Sequence, residues 1–132
     1  MIRGIDHVAI AVRRIADRLG FWKQLGFSPG DEHRVDSEGV KVLFLPAGNS
    51  RLELLEPTAG DSPVCRFLDR RGEGIHHICL RVDSVRETSR ELEKLGIPLV
   101  GGIRPGARGT PITFLHPRAT GGVLVELAEG DA

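Results

Sequence analysis

The stretch GEGIHHICLRV, residues 72–82, sets two histidines side by side in what otherwise reads as a buried strand. Side chains alternate across a strand, so His76 and His77 must point to opposite faces. His76 shares its face with Ile78, Leu80 and Val82, a packing face, which leaves His77 for chemistry. An earlier stretch, DHVAIAV at 6–12, lies over HHICLRV at 76–82 and matches His7 to His77. There Val8, Ile10 and Val12 form one apolar face, while His7, Ala9 and Ala11 form a narrow opposite one. Two carboxylates recur in the same way. RLELLEP (51–57) lies over LVELAEG (124–130) and pairs Glu53 with Glu126. Glu53 stands opposite Leu52 and Leu54, and Glu126 stands opposite Val123, Val125 and Leu127, which are expected to line the core. A carboxylate in so apolar a run is costly unless a partner or an ion compensates it.

Imidazole and carboxylate together make a mixed N/O donor set suited to a divalent cation such as Co, Mn, Ni, Zn or Fe. The absence of thiolate from the set argues against a structural zinc site. Four protein ligands leave an octahedral ion two positions for a bidentate oxygen substrate. A single histidine on a strand is ordinarily a packing residue. Recurrence of both His and Glu at matched positions is what lifts these four out of the background. His33 and His116, near strand ends, are expected to be structural or peripheral. Glu56 and Glu129, at strand exits, are expected to be solvated.

The elements that carry these residues form a repeat. After the first strand comes a helical stripe of Ile15, Leu19, Trp22 and Leu25, stopped by Gly26. Strand-like pieces follow at 32–36, 40–46 and 50–57. The segment DSPVCRFLDRRGEG reads as a linker helix, capped by Asp61 or Ser62, with Pro63 at its first position and Val64, Phe67 and Leu68 as its apolar stripe. In the second half, Ser84 and Glu87 spell a capping box for the next helix. Strand-like pieces recur at 98–101, 110–117 and 122–129. The expected organisation is a first β-α-β-β-β module over 1–57, a linker over 58–74 and a second module over 75–132. A duplicated unit of this kind predicts one sheet-built cleft with pseudo-two-fold symmetry.

The bulk numbers set limits on partners. A chain of 132 residues, 40% hydrophobic and 27% charged, suits one domain with a real core. Lys+Arg and Asp+Glu balance at 18 each, so no net field draws the chain to nucleic acid or a membrane surface. Any anionic substrate must meet a local basic patch. Cys65 and Cys79 sit in apolar segments without ligand spacing and read as reduced core residues, pointing to the cytoplasm. No apolar run approaches a membrane span, and since the residues move straight into a strand pattern no targeting segment is expected.

DHVAIAV, LELLEP, DSPVCRFL, GEGIHHICLRV and FLHPRATGGVLVELAE together resemble the methylmalonyl-CoA epimerases of the vicinal oxygen chelate superfamily. The similarity runs from about residue 4 to residue 129. DHVAIAV alone marks only the superfamily; RGEGIHHI and PGARGTPITFLHPRATGGVLVEL are more specific to the epimerases. The resemblance implies an α+β, glyoxalase-like fold: two tandem β-α-β-β-β modules forming a curved eight-stranded sheet around a metal cleft, in a homodimer. It carries the metal ligands onto His7, Glu53, His77 and Glu126, with Glu53 replaced by Gln in some relatives. The implied cofactor is a divalent ion, Co2+ first, then Mn2+, Ni2+ or Zn2+. The implied reaction inverts the stereocentre of methylmalonyl-CoA by removing and replacing its α-proton through a metal-stabilised enolate.

Epimerisation needs an acid/base group on each face of the planar intermediate. The resemblance places one at Glu126. For the second, relatives carry a Glu two residues before a glycine, as in PEQGV, whereas this chain reads DSEGV and has Ser37 there. Either a local bulge brings Glu38 into the role, or the second base is lost. Arg104 and Arg108, in GGIRPGARGT, are the candidates for coenzyme A phosphates. Three rivals share the fold. A glyoxalase-type isomerase of a glutathione hemithioacetal uses the same ligand pattern but not the epimerase-like linker. An extradiol dioxygenase calls for Tyr, and the chain has none. A metal-free resistance protein calls for aromatic walls, against 5 Phe and 1 Trp here.

Overall fold

A computed structural model describes residues 2–130. Contacts divide them into two compact units: His7–His76, and residues 2–6 with 77–130. The strands are β1 (Ile2–Ala11), β2 (Glu32–Val35), β3 (Val40–Ala47), β4 (Ser50–Pro57), β5 (Gly74–Val82), β6 (Leu99–Pro105), β7 (Pro111–Leu115) and β8 (Val125–Glu129). The helices are α1 (Ile15–Gln24), α2 (Pro63–Arg71) and α3 (Val85–Lys94).

In the first unit the strand order is β2-β3-β4-β1, with β1 parallel to β4 and the other pairs antiparallel. Alternation splits this sheet into two faces. Val12, Leu43, Leu45 and Leu54 gather with Ile15 of α1, and Ile10, Leu19, Trp22, Phe27 and Leu52 pack around them. Each fully buried aliphatic chain of this kind contributes roughly 1.5–3 kcal/mol. The predicted helical stripe is shorter than expected, because Leu25 lies past the helix end and is exposed. The other face carries His7, Ala9, Phe44, Arg51 and Glu53, all buried. Ser62 caps α2, its hydroxyl accepting from the Cys65 N–H at 3.1 Å, and Val64 and Leu68 are buried beneath it.

Residues 36–38 close into a 3-10 turn rather than a bulge, ended by Gly39 at φ +62°. A Cβ on Gly39 would lie 2.8 Å from Ser62 Cβ, so both its backbone conformation and its close approach to the α2 cap require glycine.

The second unit repeats the plan, with order β5-β8-β7-β6 and β5 parallel to β8. Val82, Val125 and Leu127 pack with Val85 of α3, joined by Ile78, Leu80, Leu92 and Leu115. Cys79, Ile112 and Ala128 cluster on the opposite face with Phe114. Cys65 and Cys79 are free thiols. Residues 2–6 join this unit through ion pairs. Asp6, fully buried, accepts from Arg81 Nη2 at 3.0 Å, and Arg3 Nε meets Asp83 at 2.6 Å. The Arg3 hydrogen bond holds the Asp83 carboxyl below its ordinary range, and Asp83 in turn raises Arg3.

Several strand boundaries differ from the sequence expectation, those of β6 and β8 for reasons visible in the structure. β6 extends to Pro105 because its register with β7 shifts between Val100 and Arg104, where Gly101 and Gly102 take positive φ. β8 starts at Val125, not 122, because the Thr120 hydroxyl accepts the Val123 N–H at 2.8 Å and holds it off the ladder. Val123 is therefore exposed and does not line the core.

Candidate active site

The two units each present one buried imidazole beside one buried carboxylate. In the first, β1 and β4 run parallel with Ala9 opposite Glu53 and His7 opposite Arg51. His7 is 3% exposed and Glu53 4%. His7 Nδ1 stands 3.2 Å from Glu53 Oε2. In the second, β5 and β8 repeat the register with Cys79 opposite Glu126. There His77 Nε2 lies 2.8 Å from Glu126 Oε1, both side chains buried. Phenylalanines occupy matched places as well: Phe44 pairs across from Glu53, and Phe114 from Glu126. The His77 ring meets Phe114 edge-on, with centroids 5.3 Å apart.

Buried imidazole nitrogens and carboxylate oxygens fit a divalent cation, and His77 and Glu126 already bring two such atoms together. Cys79, on the same strand face as His77, belongs to an apolar cluster. His76 takes the other face, where its ring packs edge-on against Phe67 of α2 at 5.1 Å.

The remaining sequence candidates are placed as follows. Glu38 is half-buried in the 3-10 turn, held there by Gly39. Arg104 lies over the Phe114 ring at 5.1 Å and donates from Nη1 to the Val100 and Gly102 carbonyls, so its guanidinium braces the β6 irregularity. Arg108 is exposed in the turn before β7. His116 Nδ1 accepts the Arg118 N–H at 3.0 Å and caps a short 3-10 turn. His33 is partly buried and stacks on Phe44, ring centroids 4.9 Å apart, with no hydrogen-bond partner for its Nε2.

Glu56 and Glu129 are not merely solvated. Glu56 Oε1 accepts the Ile15 N–H that opens α1 at 2.7 Å, and Glu129 Oε1 accepts the Val85 N–H that opens α3 at 2.8 Å. Three residues beyond Glu53 or Glu126 a side chain points to the opposite, helix-bearing face, where the first helical donors need acceptors. Their recurrence in the repeat was the available signal.

One residue of the site escaped the sequence reading. Arg51, 8% exposed, lies two residues before Glu53 and so on the same face. Its Nε and Nη2 donate to Glu53 Oε2 at 2.8 and 2.7 Å, and Nη2 is 3.4 Å from His7 Nδ1. The guanidinium sits 4.5 Å from the Phe44 ring centroid. Strand parity alone would have found it.

Comparison with known proteins gives this geometry a lineage. Residues 6–114 match the Glyoxalase/Bleomycin resistance protein/Dioxygenase superfamily. The chain is 40% identical to human mitochondrial methylmalonyl-CoA epimerase over 95% of its own length and 73% of that protein. It is 37% identical to the ethylmalonyl-CoA/methylmalonyl-CoA epimerase of Cereibacter sphaeroides, covering 98% of this chain and 99% of that one. A variant of Streptomyces coelicolor methylmalonyl-CoA epimerase, solved in complex with 2-nitronate-propionyl-CoA, is similar throughout, with a TM-score of 0.93, 32% identity and full coverage of both chains. The fold is accordingly glyoxalase-like. The chain belongs to the glyoxalase/bleomycin resistance protein/dioxygenase superfamily and, within it, to the methylmalonyl-CoA epimerases.

Proposed function

We propose that this chain interconverts (R)- and (S)-methylmalonyl-CoA by removing and replacing the C2 proton, with a divalent ion held by His7, Glu53, His77 and Glu126. The observation that carries this reading is the imidazole–carboxylate pair buried at the matched place in each unit. The ion, Co2+ in the first place, supplies Lewis-acid stabilisation of the negative charge that develops as the proton leaves.

The protein groups divide the remaining work. Glu126 removes the C2 proton from one face while the other face is protonated, and in the reverse direction it donates a proton to its own face. Glu38 serves the other side from its turn, a role that needs only the half-buried carboxylate to face substrate. Arg108, exposed, meets coenzyme A phosphate; Arg104 joins it only by exchanging its carbonyl partners. The same reading includes a homodimer, which exposed Phe21, Leu25 and Leu95 support, and a cytoplasmic setting, which the free thiols support. Among the described residues no helix is long and apolar enough to cross a membrane.

A stereospecific assay tests the reading. Protein stripped with chelator should not interconvert the two epimers, and added Co2+ should restore turnover. Full activity after stripping contradicts the metal requirement. No turnover in either state contradicts the reaction.

A further inference from the structure

The two units hold the same pair of side chains but differ in the residue two places before the glutamate. Position 51 in the first unit matches Leu124 in the second. Arg51 thus places a buried guanidinium where its repeat counterpart has an aliphatic chain. It is tightly held: two hydrogen bonds to Glu53 Oε2, a 3.4 Å approach to His7 Nδ1, and the Phe44 ring beneath it. An arginine side chain does not deprotonate in proteins, so this charge is fixed.

We propose that Arg51 is the internal counter-ion of Glu53, and that its charge sets how tightly the proposed four-ligand site takes its divalent cation. The inference rests on the reading of His7 and Glu53 as ligands. A buried carboxylate left without a positive partner is strongly unfavourable. Arg51 supplies that partner in the ion-free protein, so the half-site stays ordered before any metal arrives.

The same charge opposes loading. A divalent ion sharing Glu53 with a guanidinium is repelled by it, and repulsion at such short range is only partly screened in a buried site. Removing the guanidinium acts twice in one direction. It raises the free energy of the ion-free state by stranding Glu53, and it lowers that of the loaded state by removing the repulsion. Lost orientation of one carboxylate is the smaller effect. At the matched position the second unit has Leu124, and there Glu126 meets His77 directly.

Calorimetric titration of CoCl2 into the chelator-stripped full chain provides the test. Arg51→Met should bind cobalt at least about tenfold more tightly than the unaltered chain, because a buried charge repulsion is removed. Its ion-free form should melt lower and gain more from cobalt. Arg51→Lys, which keeps the charge but not the fork, should stay within about threefold of the unaltered chain. If Arg51→Met does not fold without metal, Arg51→Gln takes its place, with the same tightening expected. Cobalt affinity unchanged or weakened in the neutral variants overturns the proposal, as does tightening in Arg51→Lys equal to theirs. An unaltered chain that takes up no cobalt, indistinguishable from His77→Ala, defeats the metal reading itself and this inference with it.

Discussion

The two halves of this chain answer one problem, a buried carboxylate, in two ways. In the first unit Glu53 is clamped by Arg51, with His7 alongside. In the second, Glu126 meets His77 directly at 2.8 Å, with Leu124 where the arginine would be. Scaffold and register are otherwise shared: a parallel first and last strand, a phenylalanine across from the glutamate, and a helix on the far face. The two units therefore share a frame and differ at the position two residues before the glutamate. On the proposed reading, Glu53 serves as a ligand and Glu126 also exchanges a proton.

That division is most exposed to test at the two glutamates. Glu126→Gln should lower the epimerisation rate by about 10²–10⁴-fold, the usual worth of a positioned acid/base. Glu53→Gln keeps an oxygen donor and should cost less than about tenfold, since an amide can hold but not exchange. Equal losses, measured in the same stereospecific assay, would erase the distinction between the halves.

The paired histidines give the next effect. His77→Ala should weaken cobalt binding by at least about 100-fold, the upper range for losing even an outer partner of a metal site. His76→Ala should leave cobalt stoichiometry unchanged and remove the ring contact with Phe67. A metallated His77→Ala protein beside a metal-free His76→Ala one would place the strand one residue out of register.

Smallest, and expected to be equal in the two halves, are the helix-capping carboxylates. Glu56→Ala and Glu129→Ala should each cost about 1 kcal/mol, as for loss of a helix cap. In a chain of this size that corresponds to a melting shift of roughly 3–6 °C, read by thermal unfolding. α1 has no side-chain cap of its own at Arg14, whereas α3 keeps the Ser84 hydroxyl on the Glu87 N–H. A larger loss at Glu56 than at Glu129 would sharpen the contrast between the units.

What the sequence made legible follows from periodicity. Alternation in DHVAIAV and HHICLRV assigned His76 and His77 to opposite faces, and the structure pairs them with Phe67 and Glu126 respectively. Ser62 and Ser84 announced their helices through local hydrogen bonds that need no tertiary context. The errors arose where a non-local or irregular interaction decides. Val123 continues an apolar run, but the Thr120 hydroxyl takes its N–H and keeps it out of the strand that begins at Val125. Leu25 continues a helical stripe, but the helix has finished and nothing covers it. Glu56 and Glu129 read as polar strand ends, yet the donors they satisfy belong to helices that begin about 40 residues earlier in the chain. Arg51 was hidden by its charge, because a lone arginine in a strand reads as solvated until its carboxylate partner is placed beside it.

The central claim is that a proton leaves C2 of the substrate and returns on either face. The most direct measurement is exchange of that hydrogen for deuterium when methylmalonyl-CoA is incubated with the cobalt-loaded chain in heavy water. The account predicts incorporation at C2 well above the enzyme-free background, accompanied by appearance of the opposite epimer. Incorporation at the background rate would contradict it.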